Sequence, residues 1–367
     1  MPGNQNKEQG FGQTIKEDLK RGDFFSSLSL DWFELKDFFI TEDRKVRMEK
    51  MSFFVRFFMI PYWLIKSLFL KLNPARRILL LIGFILILMT NSIQVRAEDA
   101  AQISFQTILP GVLVILFVLM LELKDKLLAK NQLEAGRTVQ HAMMPDKNPV
   151  IPGWDIWIYS RPANDVGGDL IDYMKMEEKK HGLSIGDVSG KGLGAALFMV
   201  KLQSTLRAII SDYSSLEKFA AKLNNIFYRD TDKKNFASMI YLEAKDNCNE
   251  IRLVNCGHMP PMIIEGKSVI ELPKTSPAIG LMDSAEFKEQ KLRIESGSIL
   301  LLYSDGLPEA KDEFGNFYGD ERMRRYIPKI SHLDATLFGE KLLDRIFSFI
   351  QAAPAHDDMS LIVLKKL

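Results

Sequence analysis

At Pro145 the chain changes texture, and the segment beyond it limits the folds open to it. From residue 146 to the end, short apolar or alternating runs are separated by glycine-rich turns: WDIWIYSRP, LIDYMKM, GLSIGDV, FASMIYLE, EIRLVNCG, PPMIIEGKSVIEL, FKEQKLRI, SILLLYSDG and MSLIVLKKL. Their lengths and β-rich composition mark them as strands. The turns EEKKHG and EGKS read as hairpins. Longer helical patterns interrupt the strands in two places, GAALFMVKLQSTLRAII running into SSLEKFAAKLNNIFYRD, and DATLFGEKLLDRIFSFIQ. Strands arriving in hairpins, with grouped helices, predict an antiparallel α+β domain over 146–367 rather than a doubly wound parallel sheet.

Upstream, hydropathy dominates. Two apolar runs near 77–96 and 102–121 flank the short polar stretch RAEDAAQ. With their polar edges counted, each reaches the roughly 20 residues a membrane-spanning helix needs. They predict a two-helix transmembrane hairpin over 77–121; a pair of buried core helices is the alternative. The first run begins too far from Met1 for a cleaved signal peptide. Lys66, Lys71, Arg76 and Arg77 precede the hairpin and Lys124, Lys126 and Lys130 follow it. Positive charge on that side places both termini and the domain beyond in the cytoplasm, on an inner membrane. Residues 51–72, rich in aromatics with sparse cations, read as an interfacial amphipathic helix interrupted at Pro61, or as a partial third span. Residues 1–50 form a polar N-terminal segment with an aromatic patch, DFFSSLSLDWFELKDFF, and no recognisable chemistry.

The segment 122–145 is rich in helix formers until Pro145 stops it. Leu121, Leu128, Ala135 and Ala142 recur every seven residues, while Asp125 and Gln132 break a strict heptad. A parallel linker joining a homodimer and a solvated spacer both fit. The formal net charge of +1 argues against a dedicated nucleic-acid binder. Two cysteines, Cys248 and Cys256, supply neither a metal-type motif nor a disulfide framework.

The chemistry resides in acids at strand ends. Asp169 lies in VGGD, Asp187 in SIGDVSGKG, Asp305 in ILLLYSDG, and Asp357 and Asp358 in AHDDMSLIVL. One such Asp is an ordinary turn former. Several converging at one sheet end would repel each other unless a multivalent cation lay between them. Oxygen-only ligation selects hard ions such as Mg²⁺ or Mn²⁺. The loop SIGDVSGKGLG fails the phosphate-loop template: three residues separate Gly186 from Gly190, and Gly192 follows Lys191. It is better read as an Asp ligand followed by glycines that bring backbone carbonyls close to a metal.

The ordered set VGGDLIDY, IGDVSGKGLGAALFM, NCGHMPP, SPAIGLM, LLYSDGLPEAKDEFGNFYG and HDDMSLIVL resembles the SpoIIE/RsbU-type branch of the PP2C-like (PPM) serine/threonine phosphatases. The resemblance covers residues 130–367. It implies a sandwich of two antiparallel β-sheets flanked by helices, with two Mn²⁺ or Mg²⁺ ions at one end. It makes Asp187 the bridging carboxylate, with the Val188 carbonyl a further ligand. Asp305 and Asp357 complete one metal's shell, and Asp169 acts in an outer shell or on a weaker third ion. Asp358 ranks below Asp357. Asp187 and Asp305 are the expected catalytic pair. By the same resemblance the nucleophile would be water activated between the ions, and the substrate a phosphoserine or phosphothreonine protein, for this branch a small STAS-domain anti-sigma-factor antagonist. The family also links the helix around 192–210 to switching. The rival readings are a catalytically silent scaffold that binds phosphoproteins, and a nucleotide-dependent kinase or cyclase. Retention of all four acids disfavours the first; lack of a complete P-loop or kinase motif set disfavours the second. His258 is read as a structural histidine bonding a turn in preference to a general acid, and Lys191 as a loop lysine in preference to a phosphate ligand. Arg161, eight residues before Asp169, is too far along for simple transfer of the eukaryotic members' phosphate-binding Arg.

Overall fold

The computed structural model describes residues 44, 47–48, 51–89, 93–96, 102–105, 108–230, 235–351, 353 and 355–367. Nearly all of the N-terminal segment 1–50, including its aromatic patch, lies outside the described residues. The chain divides into two compact units, one up to Leu127 and one from Leu128 to Leu367.

In the first unit, helix α1 spans Phe53–Lys71 and α2 spans Pro74–Leu88. The predicted break at Pro61 does not occur: α1 runs through it. Pro61 removes only the one backbone bond its N–H would have made, and the apolar helix formers on both sides continue. The α2 start is dictated locally: the Asn73 side chain accepts from the Ala75 N–H, and Pro74 fits the first turn. The predicted span ends near 96 and 102 are also corrected. Ile93–Arg96 and Gln102–Phe105 pair as a two-stranded antiparallel ribbon, β1 and β2. Helix α3 then runs unbroken from Ile108 to Met143, merging the second apolar run with most of the linker. No breaker lies between them, so nothing ends the helix. Within this unit α2 and α3 meet at two glycines. A Cβ on Gly111 would lie 2.8 Å from the Gly83 carbonyl oxygen. Arg76 pairs with Glu122 and Asp125, both at 2.6 Å. By length and composition, only Leu193–Asp212 among the described helices qualifies as long and apolar enough to cross a membrane, and it belongs to the packed second unit.

The second unit is four layers. One sheet has the order β10-β7-β6-β5-β4 and the other β3-β12-β11-β8-β9, with every pairing antiparallel. The strands are β3 Trp154–Arg161, β4 Leu170–Lys175, β5 Lys180–Val188, β6 Ala237–Lys245, β7 Glu250–Cys256, β8 Met262–Glu265, β9 Ser268–Glu271, β10 Glu289–Arg293, β11 Ile299–Tyr303 and β12 Met359–Lys366. Helices α4 Leu193–Ile209 and α5 Leu216–Asp230 cover one outer face; α6 Asp320–Ile330 and α7 Ala335–Ile350 cover the other. Each sheet is therefore buried on both sides. In β12, Ile362 and Leu364 point into the sandwich while Leu361 and Val363 point to α6 and α7. That is why SLIVL reads as a continuous apolar run. Helix α6 was not legible in the sequence. Its only apolar signal is Met323, Ile327 and Ile330, spaced i, i+4, i+7 and buried, in an otherwise charged segment.

The expected domain start at 146 moves upstream. The last turns of α3 pack into the second unit. A Cβ on Gly136 would lie 3.0 Å from Leu193 Cδ1. The Gln140 amide clasps the backbone of Gly167, donating to its carbonyl at 2.9 Å and accepting from its N–H at 3.1 Å. Gln203 in α4 donates to the Met143 carbonyl at 3.0 Å.

Candidate active site

The strand register brings the acidic loops together. Leu170 at the start of β4 pairs with Gly186 near the end of β5. Tyr303 at the end of β11 pairs with Leu361 at the start of β12, and Met359 pairs with Arg161 at the end of β3. Asp187, near the end of β5, and Asp169, Asp305, Asp357 and Asp358, on adjoining loops, thus sit at one end of the sandwich.

Asp169 and Asp358 are buried, and Asp358 is the anchor of the loop before β4. Its Oδ1 accepts from the Ala163 N–H at 2.7 Å, and its Oδ2 from the Gly168 N–H at 2.6 Å. A Cβ on Gly306 would collide with the Asp358 carbonyl oxygen, so this loop closes only around glycine. Asp357 takes a different role. Its Oδ2 lies 3.0 Å from Lys191 Nζ, and its Oδ1 accepts from the Asp358 N–H. Lys191 is a solvated loop lysine that also partners Asp357. Sequence reasoning had no local signal for that pairing.

The electrostatics are those of an uncompensated acid cluster. Burial, then the charges of Asp305, Asp357 and Asp358, push the Asp187 carboxyl up to about 7. Burial, with Glu309 and Asp357, raises Asp305. Burial chiefly, opposed by Ser360 and reinforced by Asp358 and Asp187, raises Asp169 well above the usual carboxylate range. Glu309 is an acidic neighbour that sequence reasoning missed, four residues beyond Asp305.

This arrangement fits hard divalent ions. The donors are all oxygen. Asp169 Oδ2 is buried with no hydrogen-bond partner. A Cβ on Gly168 would lie 3.3 Å from the Val188 carbonyl oxygen and 3.5 Å from Asp187 Oδ1, so the bare glycine leaves a cradle before both. Among the described residues, no three His, Cys, Asp or Glu side chains already converge as a closed ligand group. Asp357 is engaged by Lys191 and Asp358 by backbone amides, so ligation requires side-chain adjustment.

His258 is buried, with Nδ1 2.8 Å from the Ser238 hydroxyl and its backbone N–H donated to the Asn255 side chain. Burial, reinforced by Lys274, pushes its pKa down to about 3. The ring is neutral at physiological pH, as a structural histidine should be. Arg161 stacks over the Phe347 ring at 5.4 Å, and both line a cavity of about 220 Å³ with Asp357.

Two five-stranded antiparallel sheets between helical layers, with acids gathered at one end, define a PP2C-like α+β phosphatase domain. The SiaA-PP2C domain of Pseudomonas aeruginosa shares the fold, with a TM-score of 0.58 at 16% identity over 66% of this chain and 98% of that one. The sequence model of Stage II sporulation protein E (SpoIIE) matches residues 177–366, over half of the chain. The chain belongs to the SpoIIE family of PP2C-type protein serine/threonine phosphatases. Its similar relatives include Protein IcfG of Synechocystis, 27% identical over 64% of this chain and 41% of IcfG. Another is Phosphoserine phosphatase RsbU of Bacillus subtilis, 25% identical over 65% of this chain and 70% of RsbU. The match to IcfG thus spans less than half of that protein's length.

Proposed function

We propose that the chain is a membrane-anchored, metal-dependent protein phosphatase that hydrolyses phosphoserine or phosphothreonine on a regulatory partner protein, with a STAS-domain antagonist as the candidate partner class. The observation that supports this reading is that Asp169, Asp187, Asp305 and Asp357 stand at one sandwich end, with three of them pushed toward protonation by burial and by neighbouring acids. When bound, two Mn²⁺ or Mg²⁺ ions held by Asp169, Asp187, the Val188 carbonyl, Asp305 and Asp357 supply Lewis acidity toward phosphoryl oxygens and lower the pKa of water. The chain's own groups do the positioning. Asp358 fixes the loop bearing Asp169 through backbone amides. Arg161, set by its ring contact beside Asp357, is placed to hold phosphoryl oxygens with its fork of donors. His258, buried with burial holding its pKa low, is read as a structural ring in preference to a proton donor.

The membrane reading is supported by large apolar side chains exposed along all three helices of the first unit, among them Phe58, Leu88 and Met120. Helix α2 has 15 residues. At about 1.5 Å per residue it covers less than the ~30 Å hydrocarbon core. Spanning therefore needs residues beyond its ends. Leu128 and Val139, both more than half exposed, support a homodimer seam on α3. Carbonate extraction of membranes tests the anchor: release of the chain into the supernatant would reject it.

Turnover is tested with the full-length chain, a phosphoserine peptide and p-nitrophenyl phosphate, in Mn²⁺ and then EDTA. The expected result is hydrolysis that EDTA abolishes and that Asp187→Asn lowers at least about a thousandfold, with the fold intact by circular dichroism. Turnover insensitive to both would refute the site; phosphopeptide binding without turnover would identify a silent scaffold.

A further inference from the structure

A cationic feature of the second unit lies outside the carboxylate cluster. A cavity of about 560 Å³ opens between α6, α7 and the turn at 312–318. Arg322, Arg325 and Lys329 line it from one face of α6, spaced i, i+3, i+7, and Arg345 lines it from α7. All four are exposed. Two acids, Asp312 and Glu313, also line it. The Asp312 carboxylate is already taken by its own turn, accepting from Phe314 and Asn316.

The cations are held ready rather than neutralised. The Arg322 guanidinium stacks over Phe349 at 4.8 Å and donates to the Phe317 and Tyr318 carbonyls at 2.8 and 3.2 Å. Arg345 sits over Tyr326 at 5.9 Å. Arg325 pairs only with exposed Glu321 on its own helix, a contact of little strength in water. Among the described residues Lys329 and Arg345 form no ion pair. Beneath them the Tyr318 hydroxyl is buried with no hydrogen-bond partner, and Tyr318 lines the same cavity.

The cavity is also joined to the site. The turn that walls it is the continuation of the segment after Asp305, tied back by the Tyr318 N–H to the Ala310 carbonyl and the Gly319 N–H to the Pro308 carbonyl. Gln351 lines both this cavity and the smaller one shared by Arg161 and Asp357. From residue 322 to 329 an α-helix advances about 10 Å. Three or four residues of extended chain cover the same length.

On the strength of the phosphatase reading, we propose that this cavity docks an acidic, extended segment of the phosphoprotein substrate, a few residues from the phosphoserine, and so selects substrates by the charge beside the phosphosite. Carboxylates of that segment meet Arg322, Lys329 and Arg345.

The test uses the full-length chain and two synthetic phosphoserine peptides, one flanked by four Asp or Glu residues and one with Asn and Gln in their place. The expected result is a kcat/KM about tenfold higher for the acidic peptide, carried mainly by KM. In the Lys329→Ala/Arg345→Ala double variant that preference disappears, with p-nitrophenyl phosphate turnover unchanged. Restoring charge with Arg345→Lys in the Lys329 wild-type background retains most of it. Equal rates on both peptides, or a preference that survives the double variant, overturns the proposal. Fluorescence anisotropy with the unphosphorylated acidic peptide separates it from the phosphatase reading: binding lost in the double variant supports the dock even where no peptide is hydrolysed. Anionic-lipid vesicles that bind more tightly than the peptide through these residues would overturn it in favour of a membrane contact.

Discussion

His258 offers a stability experiment with a defined sign and size. The ring is buried beside the Ser238 hydroxyl, and burial together with Lys274 holds its pKa at about 3 against an ordinary 6.5, while a backbone contact to Tyr303 is the one influence favouring the charged form. Below pH 6.5 the unfolded chain takes up a proton at this position and the folded chain does not. The stability from keeping the ring neutral is therefore complete above pH 6.5 and is lost as pH falls toward 3. At pH 5 the unfolded ring is protonated about thirtyfold over neutral, which corresponds to roughly 2 kcal/mol of lost stability. At pH 7.5 the same contribution is below about 0.1 kcal/mol. Urea unfolding followed by circular dichroism at both pH values, for the parent and His258→Gln, isolates it, because all other titrating groups are common to both. The parent should lose about 2 kcal/mol more than the variant between pH 7.5 and 5. Equal losses would refute the buried, neutral ring. A turnover profile whose limb near pH 6.5 vanishes in the variant would refute its exclusion from proton transfer.

Two further substitutions test the packing behind the site. A Cβ at Gly306 would overlap the Asp358 carbonyl and lie 2.8 Å from its carbon, a backbone neighbour that cannot swing away; Gly306→Ala should cost about 3 kcal/mol in urea unfolding and abolish turnover. Arg207 donates to both oxygens of buried Asp172 at 2.8 and 2.5 Å. Arg207→Met should cost about 2–3 kcal/mol by leaving that carboxylate uncompensated, and adding Asp172→Asn should recover much of it; identical stabilities of the single and double variants would show that the charge is not the cause.

What the sequence discloses here follows from whether a signal is local. Strands β11 and β12 are legible because both faces are buried, so ILLLY and SLIVL carry no polar interruption. The acids are legible because each stands where such a run meets a turn, at its start or its end. Helix α6 is not, because three buried side chains are outweighed by six charged ones and Pro328 in an eleven-residue segment. The start of the second unit is hidden for a related reason. Gly136 and Gln140 look like ordinary linker residues until α3 is laid against Leu193 and Gly167.

The same distinction separates the parts of the site. An acid's position at a strand end is a local property, whereas its partner is set by the sheet register: Lys191 reaches Asp357 across 166 residues, and Asp358 reaches Gly168 across 190. These long-range contacts give the five acids different surroundings. Both Asp358 oxygens are spent on backbone amides, which suits it to holding a loop. Asp169 retains a buried oxygen without a partner, and Asp187 faces the cradle left by Gly168, which suits them to a ligand. Two adjacent aspartates of equal local pattern thus diverge. Asp357 has its charge balanced by a single exposed lysine that a stronger cation can displace, and Asp358 is locked in place. The ranking of Asp357 above Asp358, which the family resemblance implies, is in keeping with that difference in hydrogen bonding.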